Sequence, residues 1–251
     1  MRIESIWRYP VKGLSAEPLA DAMLRPGRAI EWDRAFALAQ GDSGYDEAAP
    51  AWRTKNEFLC LARNPEAAFL ASRFDDATRR LTLTAPDGTA HEASPFEPEG
   101  RASLTAFIAA ALPHAMRGTP RFVYAPGHSF CDNKTQVISL INLASLEALE
   151  EAAGAARHPL RFRASVYLSG VAPWEEFAWL GRTIAIGGTK LRVKARIGRC
   201  AATCVNPETR ERDANPVREL MIHFGHTDCG IYAEVIEGGR LAPDDTVTVL
   251  P

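Results

Sequence analysis

Apolar and polar residues alternate most regularly between Lys190 and Ile197. Leu191, Val193, Ala195 and Ile197 take one face, and Lys190, Arg192, Lys194 and Arg196 the other. A period of two predicts a half-buried strand with a cationic outer face. Shorter runs repeat the pattern. "RIESIWRYPV" at 2–11 reads as a strand that ends at Pro10 and turns at Val11-Lys12-Gly13, and "AFALAQGDSG" at 35–44 as a strand stopped by a Gly/Asp/Ser turn. "RRLTLTAPDGTAHEA" at 79–93 predicts a hairpin with Leu81 and Leu83 on one face and Pro86-Asp87-Gly88 as its turn. A second hairpin is expected around Gly187-Gly188, and the last 22 residues read as two further strands with a Gly-Gly turn.

The period changes to that of a helix in few places. Leu104, Phe107, Ile108, Ala111 and Leu112 recur at helical spacing after Ser103, a candidate cap, and Pro113 ends the run. Residues 136–156 predict a strand leading into a helix capped by Asn142 and stopped at Gly154. Asn64-Pro65 predicts a short helix over "EAAFLASRF". The expected class is mainly β with a few helices (α+β), divided near residue 125 into units 1–125 and 126–251.

Composition narrows the partners. The 251 residues carry a formal net charge of -2, with 46% hydrophobic and 24% charged residues, as in an ordinary globular chain. That balance argues against nucleic acid as a partner. No apolar run approaches the ~18 residues of a membrane span. The first residues lack a signal-peptide core, so the five cysteines are expected to stay reduced in a cytoplasmic setting.

The candidate chemistry lies at the end of the alternating strand, in "RIGRCAATCVNPE" at 196–208. Cations near a thiol favour the thiolate, the form that ligates metals and attacks substrates. Cys200 and Cys204, with His223, His226 and Cys229 downstream, supply five potential zinc ligands, although their spacing is not that of a zinc knuckle. Cys200 with His223 or His226 as a base is a third arrangement. Residue patterns alone leave these open.

Four segments, "WRYPVKGL", "DRAFALA", "RFRASVYLSG" and "RCAATCVNPETRE", occur in the order found in two-domain MOSC proteins. The chain resembles the branch of the mitochondrial amidoxime reducing component and its bacterial relatives. The resemblance implies a β-rich MOSC-N domain over 1–125, a MOSC β-barrel over 126–251, and the molybdenum cofactor, a pterin with a metal-bearing dithiolene and a phosphate. It places Cys200 as the metal-ligating cysteine, and thiolate is a soft ligand suited to such a metal. It carries Lys12, Arg34 and Arg163 to the anionic cofactor, with Arg199, Asn142 and Ser165 beside them; relatives often have Asn where this chain has Ser165. Cys204 is expected to be a small buried neighbour. The implied activity is reduction of small N-hydroxylated compounds. No ferredoxin-type cysteine cluster or nucleotide-binding glycine motif occurs in these residues. Electrons are therefore expected from an external donor: a ferredoxin-like protein, a cytochrome or a flavin reductase. The alternative implied by related domains is a cofactor carrier or sulfur-transfer module without substrate turnover.

Overall fold

The computed structural model describes residues 1–251. In chain order its strands are β1 (Arg2–Arg8), β2 (Glu17–Leu19), β3 (Ala22–Leu24), β4 (Phe36–Ala39), β5 (Ala71–Asp75), β6 (Arg80–Thr84), β7 (Ala90–Ala93), β8 (Arg121–Tyr124), β9 (Ile138–Asn142), β10 (Val166–Ser169), β11 (Thr183–Ile186), β12 (Thr189–Gly198), β13 (Asp228–Glu237), β14 (Gly239–Leu241) and β15 (Val247–Val249). Its helices are α1 (Pro98–Ala111), α2 (Leu143–Ala153) and α3 (Pro216–Phe224). None is long and apolar enough to cross a membrane.

The mainly β architecture expected from the sequence is present. Eight strands form one curled sheet in the order β15-β11-β12-β13-β9-β10-β1-β2. Only β9 and β10 run parallel within it. The β12–β13 pair shifts register at three places, and such irregularities bend a ladder and increase its twist. The inward residues of this sheet, among them Ile3, Ile6, Leu140, Leu168, Leu191 and Ile231, share one core. A second core lies under the β5-β6-β7 meander, the β4–β8 pair and α1, where Phe36, Leu81, Leu83, Leu104 and Ile108 meet.

Sheet membership does not follow the linear division near residue 125. The first strand, β1, pairs with β10, with Ile6 opposite Val166, and carries β2 into the large sheet. Likewise β3 pairs with β14. The N-terminal unit thus contributes three strands to sheets completed by the C-terminal unit.

Local expectations divide in an informative way. The β12 face alternates as its sequence does, and the β11–β12 hairpin pairs Ile186 with Thr189. Asn142 caps α2, its Oδ1 accepting from the Ala144 amide at 3.1 Å, and Gly154 closes it in the left-handed region at φ 67°. The helix expected over 65–74 is instead a 3-10 turn, Pro65–Phe69, followed by β5. Ser72 and Phe74 alternate into the core opposite Leu83 and Leu81, and that pairing outweighs local helix preference. Ser103 is not a cap. The helix α1 begins five residues earlier with Pro98 in its first turn, and the Ser103 hydroxyl donates back to the Gly100 carbonyl at 2.9 Å.

Candidate functional site

The loops that follow β1, precede β4 and β10, and leave β12 converge on one cleft, enclosing roughly 900 Å3 with its open mouth included. Six cationic side chains line it, Lys12, Arg34, Lys55, Arg161, Arg163 and Arg199, against two carboxylates, Asp33 and Asp132. Cys200 stands in the same wall, half-buried and free.

Each side chain is placed by its neighbours. The backbone of Lys12 is tied to the start of β4 by its amide, which donates to the Phe36 carbonyl at 2.8 Å. Its ammonium, almost fully buried, donates to Asp132 at 2.5 Å and to the Phe130 carbonyl at 2.8 Å. Burial pushes the Asp132 carboxyl up, but Lys12 outweighs it, and the group is held below the ordinary aspartate range. Arg34 and Arg163 both have left-handed backbones, at φ 52° and 53°. Such a conformation costs a non-glycine residue about 1 kcal/mol or more and clusters at functional sites. Both guanidiniums lie over the Tyr9 ring, at 4.7 and 4.2 Å from its centroid.

Their electrostatics differ. Burial opposes the Arg34 charge, but Asp33 at 2.5 Å more than compensates and holds the guanidinium above its ordinary range. Arg163 has no carboxylate partner. Burial, aided by the charge of Arg34, pulls it down to about 10. It donates one bond, to the Leu14 carbonyl at 2.7 Å, and its buried Nη2 has no partner. A buried donor left unsatisfied is costly, so this atom calls for an acceptor.

Arg199 fixes the end of β12. Its guanidinium donates to the Phe162 carbonyl at 2.7 Å and to the Cys229 carbonyl at 2.8 Å. Cys200 follows in extended conformation, and its carbonyl accepts from the amide and hydroxyl of Thr203, each at 3.0 Å, turning the chain into a 3-10 segment, Ala201–Cys204. Lys55 lines the same cleft as Cys200. Burial pulls this ammonium down, but its interaction with the Cys200 side chain, with Asp132 adding to it, leaves Lys55 raised.

The structure brings Lys12, Arg34, Arg163, Arg199 and Cys200 to one cleft. It does not bring Ser165 or Asn142 to its surface. Ser165 lies one layer behind, its amide donating to the Ser139 hydroxyl at 2.9 Å, and Ser139 is the residue that faces the cleft. Asn142 is fully buried elsewhere; its amide donates to the Ala172 carbonyl at 2.8 Å and to Glu176 at 3.0 Å.

The cationic face of β12 points away from the cleft. Lys190 pairs with Glu237 at 3.0 Å, Lys194 pairs with Glu234 at 3.1 Å, and Arg196 lies over Phe177. Of the charges near Cys200 in sequence, Arg199 alone lines the cleft. Nor do the zinc candidates gather: no group of three His, Cys, Asp or Glu side chains is arranged to hold a metal. His223 is exposed on α3, while His226 accepts from the Asp228 amide and packs against Trp174 and Phe177. Burial pushes the Cys204 thiol up and the Cys229 thiol up to about 12, which leaves both as inert thiols.

Sequence reasoning missed Lys55, Cys60, Cys131 and Asp132, which come from loops outside the segments it singled out, and passed over Arg161, which stands two residues before Arg163 in "RFRASVYLSG". Asp33 had a signal, because it adjoins Arg34 in the "DRAFALA" segment.

A sequence model of the MOSC domain matches residues 125–248, and one of the MOSC N-terminal beta barrel domain matches residues 1–108. No curated protein matches. Among solved structures, the YUAD protein from Bacillus subtilis is similar at 13% identity and TM-score 0.46, over 98% of this chain and 93% of that one. YiiM from Geobacillus stearothermophilus is similar at 17% identity and TM-score 0.36, over 45% of this chain and 54% of its own, so the chain spans about half of YiiM.

Proposed function

This chain belongs to the MOSC family, with the family's N-terminal β-barrel domain ahead of its MOSC domain, and from that premise we propose that it holds the molybdenum cofactor in the cationic cleft and reduces N-hydroxylated compounds. MOSC domains are associated with that cofactor. The observation that carries the reading is a free, half-buried thiol set in a wall with six cations and two carboxylates. The residues present fit an anionic, sulfur-bound metal group. Cys200 supplies one soft ligand, and the unpartnered Nη2 of Arg163 supplies a buried donor.

When bound, the cofactor supplies a metal that exchanges an oxygen atom and two electrons. The chain's own residues do the rest. Lys12, Arg34 and Arg163 hold the anionic part, with Arg offering a planar fork and Lys a compact charge. Arg199 locks the strand end from which Cys200 projects. Lys55 sets a positive charge against the sulfur, and ligation requires the thiol to be deprotonated. Ser165 orients Ser139 at the cleft wall. Electrons come from a separate ferredoxin-like, cytochrome or flavin-containing protein, in a reducing cytoplasmic compartment where all five cysteines stay free.

The test is metal analysis of the purified protein followed by reduction of benzamidoxime with reduced methyl viologen as artificial donor. Stoichiometric molybdenum with turnover, both lost together in Cys200→Ser, is the expected result. Bound cofactor without turnover would instead make the protein a carrier or sulfur-transfer module. Tightly held zinc without pterin would overturn both readings.

A further inference from the structure

A second hollow, roughly 700 Å3 with its open mouth included, adjoins the cleft and shares Gly13, Leu61, Arg161, Arg163 and Ala202 with it. Its own walls are different in kind. Leu14, Ala68, Leu160 and Val205 line it, and apart from the shared arginines its charged side chain is Glu208, 3.5 Å from His158. Concave sites lined mostly by apolar side chains with a few polar groups are where the bodies of small molecules bind.

The outer wall is the Asn206-Pro207 turn, which the proposed chemistry leaves without a role. That turn is held from several sides. The Asn206 side chain accepts from the Glu208 amide at 2.9 Å and donates to Asp213 at 2.8 Å, while its backbone exchanges bonds with Glu211 and Arg210, each at 2.8 Å. Val205, Pro207 and Glu208 therefore reach the hollow from a braced loop. Ala202, in the shared wall, lies in the short turn that begins at Cys200.

We propose that this annex receives the apolar or aromatic body of the substrate, and that Ala68, Leu160 and the Asn206-Pro207 turn set the largest body it accepts. A substrate with its polar reacting end in the cationic cleft would extend its apolar end across the shared wall. The kinetic consequence rests on the reductase reading above; the binding consequence does not.

Two variants and two readouts test it on the full-length protein. Ala68→Phe fills the annex and Leu160→Ala enlarges it, and neither residue lines the main cleft. Binding of neutral benzamide, followed by calorimetry, should weaken about tenfold in Ala68→Phe, the size of effect expected for steric selection in an apolar pocket. The ratio of kcat/KM for benzamidoxime to that for hydroxylamine should fall by about the same factor, with molybdenum content retained. Leu160→Ala should move the ratio the other way for a naphthyl amidoxime. Benzamide binding unchanged in both variants would overturn the proposal, whatever the enzyme reduces. Loss of molybdenum in either variant would also overturn it, by showing that the annex holds cofactor. Benzamide binding that weakens in a protein without turnover would keep the annex and refute only the reductase reading.

Discussion

Gly230 sits in β13, between β12 and β9 in the middle of the large sheet, with φ at +80°. A Cβ added there would lie 2.4 Å from the Leu140 carbonyl oxygen and 2.7 Å from Ile141 Cγ1, both on β9, and 3.3 Å from Arg199 Nη2. Ordinary C···O contacts begin near ~3.3 Å, so the overlap with Leu140 approaches ~1 Å. Backbone atoms of a central ladder cannot retreat without lengthening its hydrogen bonds. Gly230→Ala therefore combines two costs: about 1–2 kcal/mol for a left-handed alanine and about 1–3 kcal/mol for overpacking. The total, about 2–5 kcal/mol, corresponds to a fall in Tm of roughly 5–15 °C for a chain of this size. Gly154→Ala separates the two terms, because Gly154 has φ +67° and nothing within 4 Å of the point where an alanine methyl would sit; it should show the conformational cost alone, about 1–2 kcal/mol. Urea and thermal unfolding of the three proteins is the assay. A destabilisation by Gly230→Ala below ~0.5 kcal/mol, the range of an ordinary surface change, would refute the reasoning. So would equal effects at the two glycines.

Three other outcomes follow from the same geometry. Glu176 is 1% exposed, and burial pushes its carboxyl above the ordinary glutamate range against the bonds from Asn142 and Ser145. The folded state thus favours the protonated form, so stability present at low pH is lost as pH rises through the raised folded value. Glu176→Gln should match the parent near pH ~4, exceed it at pH ~7, and show a flatter urea midpoint between them. Leu104→Ala, at a fully buried position of α1, should cost about 2–5 kcal/mol in urea unfolding. Lys194→Gln breaks a largely exposed pair with Glu234 and should cost below ~1 kcal/mol; molybdenum content equal to the parent's is expected, because this side chain points away from the cleft.

Some of this architecture is legible in sequence, and the reason is local physics. The β12 alternation, the Asn142 cap and the Gly154 stop each depend on residues within a few positions, and each reads correctly. The 71–75 segment reads wrongly because its strand character comes from β6, not from its own preference. Site residues divide the same way. Cys200 and Arg199 were visible because they are adjacent at the end of a patterned strand. Lys55 and Asp132 were not, because only the meeting of distant loops gives them a common neighbour. The left-handed backbones of Arg34 and Arg163 also leave no trace, since arginine carries no preference for that region and tertiary contacts impose it.

The pairing of β1 with β10 links Ile6 to Val166, and that separation has a temporal meaning. During synthesis at ~5–20 residues per second, the first strand must wait roughly ten to thirty seconds for its partner to emerge. For that interval β1 has only the short β2 beside it, the edge that β10 will cover stays open with Ile3 and Ile6, which end fully buried, short of their core, and an open edge is a template for the wrong neighbour. Closing so long a loop is also slow in its own right. The two halves expressed as separate chains should accordingly each be incomplete, and mixing them should restore what neither holds alone.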